Sequence, residues 1–483
     1  SMVESRLEKG VIWVGANDGP VSVSRDNGKT WKRVTPQGLV GARIQTIEDS
    51  PHQKGRVYIA AYRTTREHDL KPYIYRTDNY GETWTLLTDG KNGIPIDHPT
   101  RVVREDPRQP GLLYVGTEFA AFVSFDAGKH FQTLQQNLPN TPVTDLKVFR
   151  NDLVVSTMGR SLWIMDDVTP LQQLAALAMG AGATAGAGHD GGDAARQAAG
   201  GRASLPAIAL FQPREAMRFR NATASGGAGG TEYTAGGAHF DLYFQSAPAA
   251  DTKLEVTDLR GQVLHAWAVV TARAGAPQGR GGFFRPSSNS AGIRPEAGMQ
   301  RITWDLRFPG PWTPNTPDGG PGGPMVPPGR YTVKLTSGGQ TITRTLDIKT
   351  DPRVAGDGVT DADIAEQVKF QLQVRDAIGD ARKLQQRIED AMQKAGVKAP
   401  GPAAPGDTPA NTKYANPLQQ VWAQVVTTPG IYTQGMLIDQ LQNVQREVNQ
   451  ADQKIGKDSY DRYADLMKEL AALEAQLKKI TGS

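Results

Sequence analysis

Two carboxyl groups on either side of a glycosidic bond suffice to hydrolyse it, one as acid and one as base or nucleophile. They stand about 5 Å apart for retention and about 6.5–9.5 Å apart for inversion. The N-terminal third of the chain offers Asp69, Asp97, Glu105, Glu118 and Asp145 for such a role. Glu118 directly follows the apolar run Leu113-Tyr114-Val115-Gly116-Thr117, so it leaves a strand end and can project into a cleft. Asp97-His98 lies in the loop leading to the next sheet. The candidate catalytic carboxylates are therefore Glu118, Glu105 and Asp97. Arg101, Arg104 and Arg160 supply cations able to clamp an anionic group. Trp312 and Phe283-Phe284 present aromatic faces on which a sugar ring can stack. Arg104, Arg160 and Trp312 are the candidate ligand-binding residues. The same residues also have a plainer reading, with Arg104-Glu105-Asp106 and Arg160 as ion pairs between sheets and Trp312 as the anchor of its loop.

Several chemistries are missing from the sequence. It has no cysteine, which removes disulfides, thiolate metal sites and cysteine catalysis. Seven histidines (52, 68, 98, 130, 189, 239, 265) show no paired metal spacing, and no H-E-x-x-H, calcium-loop or G-x-S-x-G pattern occurs. Asn27-Gly28-Lys29-Thr30 imitates the end of a phosphate loop, but Val23 stands where that motif needs glycine. No metal or organic cofactor is called for. Lys and Arg number 54 against 50 Asp and Glu, a net +4, which is no nucleic-acid footprint. No run of about 18 apolar residues exists, so no membrane insertion is expected. The opening Ser1-Met2-Val3-Glu4 is polar and lacks the apolar stretch of a secretory signal.

The elements that must position these side chains repeat. Ile12-Trp13-Val14-Gly15, Val57-Tyr58-Ile59-Ala60, Leu113-Tyr114-Val115-Gly116 and Leu153-Val154-Val155-Ser156 are apolar strands ending in a small residue, spaced like propeller blades. In the first three units a second strand leads into a related turn. These are 24–31 (SRDNGKTW), 77–84 (TDNYGETW) and 124–131 (SFDAGKHF). The turns pair Asp26 with Gly28 and Trp31, Asp78 with Gly81 and Trp84 (Tyr80 read as one extra residue), and Asp126 with Gly128 and Phe131. Asp folds its carboxylate onto backbone N–H groups, Gly supplies positive φ, and the closing aromatic plugs the space between blades. A fourth unit around Gly159-Arg160-Ser161-Leu162-Trp163 lacks this turn.

Beyond the blades the expected fold is mainly β with an α-helical C-terminus. An Ala/Gly-rich linker covers 175–206, and alternating strands over 207–350 predict an antiparallel, Ig-like β-sandwich with long Gly/Pro loops. A capping box at Thr360-Asp361-Ala362-Asp363 opens a helical region, 351–483, split by the Pro/Ala-rich 396–412. It ends in an antiparallel helical hairpin turning at Gly456-Lys457-Asp458-Ser459.

The three turns resemble the Asp-box, S-x-D-x-G-x-T-W. Together with Lys71-Pro72-Tyr73-Ile74-Tyr75, Val102-Val103-Arg104-Glu105-Asp106-Pro107, Gly111-Leu112-Leu113-Tyr114-Val115-Gly116-Thr117-Glu118-Phe119 and Gly159-Arg160-Ser161, they make residues 11–174 similar to the final blades of bacterial Vps10/sortilin-like, BNR-repeat proteins often labelled glycosyl hydrolases. Met158 stands where that family commonly has His, and Ala120-Ala121-Phe122 where it has Gly-Leu-Tyr. The resemblance implies an exported protein whose residues 1–174 are the C-terminal part of a larger propeller, completed by an upstream half or a companion chain. The expected role is a non-catalytic module that binds or scaffolds a polysaccharide or polypeptide. The alternatives are a sialidase- or xyloglucanase-like glycoside hydrolase and an assembly module for a companion chain.

Overall fold

The protein is described by a computed structural model over residues 1–178, 206–220, 236–270, 292–400, 414, 416–428 and 434–482. It divides into two compact units, Ser1–Pro206 and Ala207–Ser483. The aromatic pair Phe283-Phe284 and most of the Ala/Gly-rich stretch lie outside the described residues.

Four antiparallel sheets follow one another through the first unit, each built in chain order. The first holds β1 (Met2–Glu4), β2 (Ile12–Gly15), β3 (Val21–Ser24) and β4 (Lys32–Arg33). The second holds β5 (Arg43–Asp49), β6 (Val57–Arg63), β7 (Asp69–Thr77) and β8 (Thr85–Leu86), with the single turn α1 (Thr64–Glu67) between β6 and β7. The third holds β9 (Thr100–Glu105), β10 (Leu113–Thr117), β11 (Ala121–Ser124) and β12 (Gln132–Thr133). The fourth stops at three strands, β13 (Val143–Phe149), β14 (Asp152–Thr157) and β15 (Leu162–Met165), and the chain continues into α2 (Thr169–Ala178). Residues 175–178 thus extend a helix rather than begin a linker. Ala175 is buried against the core shared by the third and fourth sheets, which supplies the packing that composition alone did not promise.

Stacking explains the small residues at the strand ends. A Cβ on Gly15 would sit 2.4 Å from Ile44, and one on Gly116 would sit 2.6 Å from Val143. Only glycine lets the first strand of the next sheet come that close. The middle sheets are apolar on both faces, so β6 and β10 are buried almost without alternation. Trp13 and Ile59 join the first two sheets, Tyr58, Leu113 and Phe122 the second and third, and Tyr114, Leu146 and Leu153 the third and fourth.

The three turns share one hydrogen-bond pattern. Ser24 Oγ accepts from Gly28 N–H at 2.8 Å, while Asp26 accepts from Thr30 N–H at 2.8 Å and the Thr30 hydroxyl at 2.6 Å. Ser124 and Asp126 repeat this with Gly128 and His130. In the second turn the acceptor is the Asn79 carbonyl, 2.9 Å from Thr83 N, and Thr77 Oγ1 accepts from Gly81 N. This corrects the expectation for Asp78. Aligned as T-x-N-x-G-x-T-W the turn has no extra residue, and Tyr80 takes the positive φ position of Asn27 and Ala127. Asp78 instead pairs with Arg56 at 2.5 Å and Arg76 at 3.2 Å. The closing aromatics differ. Trp84 donates to Val34 O at 2.7 Å and meets Trp13 edge-on, Phe131 is buried, and Trp31 is 46% exposed.

The second unit opens with two sheets around one core. β16 (Ile208–Leu210), β18 (Ala238–Phe244) and β21 (Gly298–Trp304) form the first. β17 (Ala216–Arg218), β19 (Lys253–Thr257), β20 (Val263–Ala268), β22 (Gly329–Ser337) and β23 (Gln340–Thr350) form the second. Phe240, Ile302 and Trp304 face Leu254, Val333 and Leu346 in that core. The sheets are not wholly antiparallel as expected, because β17 runs parallel to β23. Pro213, which can donate no ladder bond, lies between β16 and β17, where the chain passes from one sheet to the other.

Helices α3 (Pro352–Gly356), α4 (Asp361–Lys394), α5 (Pro417–Val425), α6 (Leu437–Val448) and α7 (Lys457–Thr481) complete the unit. Thr360 and Asp363 close a reciprocal capping box on α4. α4 shares one core with α5, α6 and α7, so the Pro/Ala-rich stretch does not split the bundle. The long stripe Val374, Ile378, Leu384, Ile388 needs cover that Leu418, Leu441 and Leu466 provide. The link between α6 and α7 is longer than a tight turn, since Lys457, Asp458 and Ser459 already belong to α7. Gln367 captures the carbonyls of Val448 (2.9 Å) and Ala451 (2.7 Å), and Gln371 the former again (2.6 Å), which ends α6 at Val448.

Candidate functional site

The first strands of successive sheets lie side by side in one direction. Thr46 Oγ1 donates to Arg101 O, and Arg104 Nε donates to Leu146 O at 2.9 Å. The starts of β5, β9 and β13 therefore share one end of the sheets, and antiparallel pairing returns β6, β10 and β14 to it. Arg43 stands opposite Tyr62, Thr100 opposite Thr117, and Val143 opposite Thr157.

This end gathers Asp97, Arg101, Glu118 and Arg160. Arg101 Nη2 and Glu118 Oε1 are 2.7 Å apart, with side chains 15% and 21% exposed. The Arg101 guanidinium lies 5.7 Å from the centre of the Tyr62 ring, which Arg43 approaches at 6.0 Å. Beside them His98 pairs with Asp97 at 3.1 Å and stacks edge-on against Phe119 at 4.9 Å, leaving Phe119 partly exposed. Arg160 is exposed in the β14–β15 turn, where its carbonyl accepts from the Trp163 indole. Further along the same end, Asp69 accepts from Tyr73 Oη at 2.5 Å and pairs with Arg63 at 3.3 Å.

Two of these carboxyls shift in the same direction. The His98 hydrogen bond holds Asp97 below the ordinary carboxyl range. Burial works to raise Asp69, but the Tyr73 hydroxyl, the Lys71 N–H and nearby Lys71 and Arg63 outweigh it and hold it low as well. Both are carboxylates that stay ionised, whereas a general acid needs a raised value. The arrangement presents aromatic faces, guanidinium donors and carboxylate acceptors, the groups that bind sugar hydroxyls.

Glu105 and Arg104 lie at the opposite end. Glu105 is buried, accepting from Gly111 N–H at 2.9 Å and Tyr58 Oη at 3.4 Å. Arg104 links three sheets, pairing with Glu48 at 2.8 Å and Asp145 at 2.7 Å, while Glu48 also takes Arg6 at 3.1 Å. Trp312 belongs to the other unit. Its Cβ lies 3.3 Å from where a Cβ on Gly379 of α4 would be, its carbonyl accepts from Arg382, and Lys383 lies 6.0 Å from its ring. It therefore anchors its loop to α4 within its own unit.

Sequence reasoning missed Tyr62, Arg43, Phe119 and Glu48. Only the register argument that Arg43 and Tyr62 are paired positions at a strand end could have raised the first two. Among the described residues no group of three His, Asp or Glu could hold a metal ion, and no helix is long and apolar enough to cross a membrane.

Three four-stranded antiparallel sheets and a three-stranded one, stacked face to face, fit the β-propeller class, here in a mainly β chain with several sheets and a helical C-terminus. No protein-family model matches the chain. It is 31% identical over 113 residues to an oligoxyloglucan-reducing end-specific xyloglucanase of Emericella nidulans, a match covering 22% of this chain and 13% of the relative. A probable enzyme of the same description from Neosartorya fischeri is 30% identical over 138 residues, covering 27% and 16%. The chain thus spans under a fifth of the length of these relatives. Among solved structures, the extracellular domain of a hybrid two-component system from B. thetaiotaomicron aligns over 72% of this chain and 38% of its own, at 10% identity and TM-score 0.27. An ancestral GH74 enzyme aligns over 72% and 40%, at 11% identity and TM-score 0.26.

Proposed function

We propose that the sheets of residues 1–178 form a glycan-binding module of an exported protein, reading a β-glucan chain of the xyloglucan type at the end that carries Arg101, Glu118, Tyr62 and Phe119, without cleaving it. The observation that supports this most is the 2.7 Å Arg101–Glu118 pair beside two aromatic rings. Glu118 is committed to a guanidinium, and the same end holds Asp69 and Asp97 as ionised carboxylates. Such a surface donates and accepts hydrogen bonds to hydroxyls while its rings stack on sugar faces. The partial matches to xyloglucanases favour a glycan over a polypeptide ligand.

A second reading draws on the relatives' printed activity: a hydrolase in which Glu118 contributes one carboxyl and another segment or chain the second. Affinity electrophoresis in gels containing xyloglucan tests the first reading. Retardation of the full chain is expected, weakened about tenfold by Arg101→Ala or Phe119→Ala and unchanged by Trp312→Ala. Migration unaffected by xyloglucan would refute it.

A further inference from the structure

In the second unit three guanidinium groups crowd into one seam. Arg218 at the end of β17 is fully buried, and its Nε donates to Val326 O at 2.9 Å. Arg220, two residues on, donates to Asn449 O at 2.8 Å. Both converge on a single oxygen, Oδ1 of Asp452, in the link between α6 and α7, whose side chain is only 1% exposed. Arg307 stands close enough to Arg218 and Arg220 to act on their charges. Its own amide donates to Asp305 and its guanidinium to Gly323 O. Burial first, and then Arg218 as a like charge, push Arg220 below the arginine range, against the pull of Asp452.

The charges do not close. Asp452 serves two arginines through one oxygen, and Nη2 of Arg218 and Nη2 of Arg220 are buried without a hydrogen-bond partner. A guanidinium cannot relieve this by losing its proton. An unpaired buried cation is among the most destabilising features a fold can carry. What relieves it is a negative group with several acceptor oxygens, matched to the guanidinium fork.

We propose that this seam binds a small oxyanion of the phosphate or sulfate type, with Nη2 of Arg218 and Nη2 of Arg220 as its donors. The anion enters from the side of Arg220, whose side chain retains 10% exposure. Once bound it ties β17 to the α6–α7 link, so it acts as a structural ligand of the second unit and is independent of glycan recognition by the first.

Thermal unfolding of the full chain in 0–10 mM sodium phosphate or sulfate, with chloride holding ionic strength constant, tests the site. A saturable rise is expected, about 5 °C at a hundredfold excess over Kd. Arg220→Gln should abolish it. Asp452→Asn, which removes the competing carboxylate, should lower the midpoint in chloride and enlarge the phosphate shift. Should either variant fail to fold, broadening of the phosphorus-31 resonance of phosphate by the unaltered protein reports occupancy directly. No saturable shift and no broadening, or a shift equally large in Arg220→Gln, would overturn the proposal.

Discussion

Asp26 takes both the hydroxyl and the amide of Thr30, and these bonds draw its carboxyl from 3.8 down to about 2. A lowered acid stabilises the fold above its unfolded value and loses that contribution as pH falls through the folded one. The Asp26 turn should therefore hold fully above about pH 4 and weaken toward pH 2. Comparing the melting of Asp26→Asn with the parent should show a gap that is constant from pH 5 to 7 and closes near pH 2. The second turn gives a sharper contrast. Asp78→Asn loses the charge of two arginine pairs and should destabilise by about 0.5–1 kcal/mol. Asn79→Asp keeps the acceptor that Thr83 N needs and should be near neutral, both variants being compared with the parent by urea denaturation. The turns were legible because their code is local: donors and acceptors sit two and four residues apart. Asp78 misleads because it is acidic, whereas the residue at the motif's spacing is the amide Asn79.

Glu48 and Arg104 occupy equivalent strand positions, each opposite a tyrosine of the next strand, Tyr58 and Tyr114. Their pairing bridges neighbouring sheets, and Asp145 carries it to a third. Glu48→Ala removes the buried partner of Arg104, which keeps Asp145 and the Leu146 carbonyl, and should cost about 1–3 kcal/mol in urea unfolding. Burial raises the Glu48 carboxyl despite Arg104 and Arg6. Its sign is opposite to that of Asp26: the contribution is full below its ordinary 4.5 and declines as pH rises through the raised value. Glu48→Gln should flatten that decline. Strand repeats, the capping box at Thr360 and the apolar helix stripes could be read because each depends on a short period. The Glu48–Arg104 pair could not, since it joins residues on different sheets, and neither could the capture of Val448 O by Gln367, 81 residues away.

Two compact units imply two unfolding transitions, a consequence at the scale of the molecule. Calorimetry should show Glu48→Ala lowering one midpoint and Gln367→Leu, by about 1–3 kcal/mol for the stranded Ala451 carbonyl, lowering only the other. Arg104 and Glu105 sit at the other strand end from Glu118, and Trp312 sits on a loop of the second unit. Sequence order says nothing of which strand end a residue reaches or which unit its loop packs on. Binding of xyloglucan without cleavage can be followed in a time course of reducing ends. The full chain is incubated with xyloglucan oligosaccharides at a concentration where calorimetric titration registers binding. Heat of binding is expected, weakened by Arg101→Ala, with no new reducing ends over a day. Steady release of reducing ends that Glu118→Gln abolishes would contradict it.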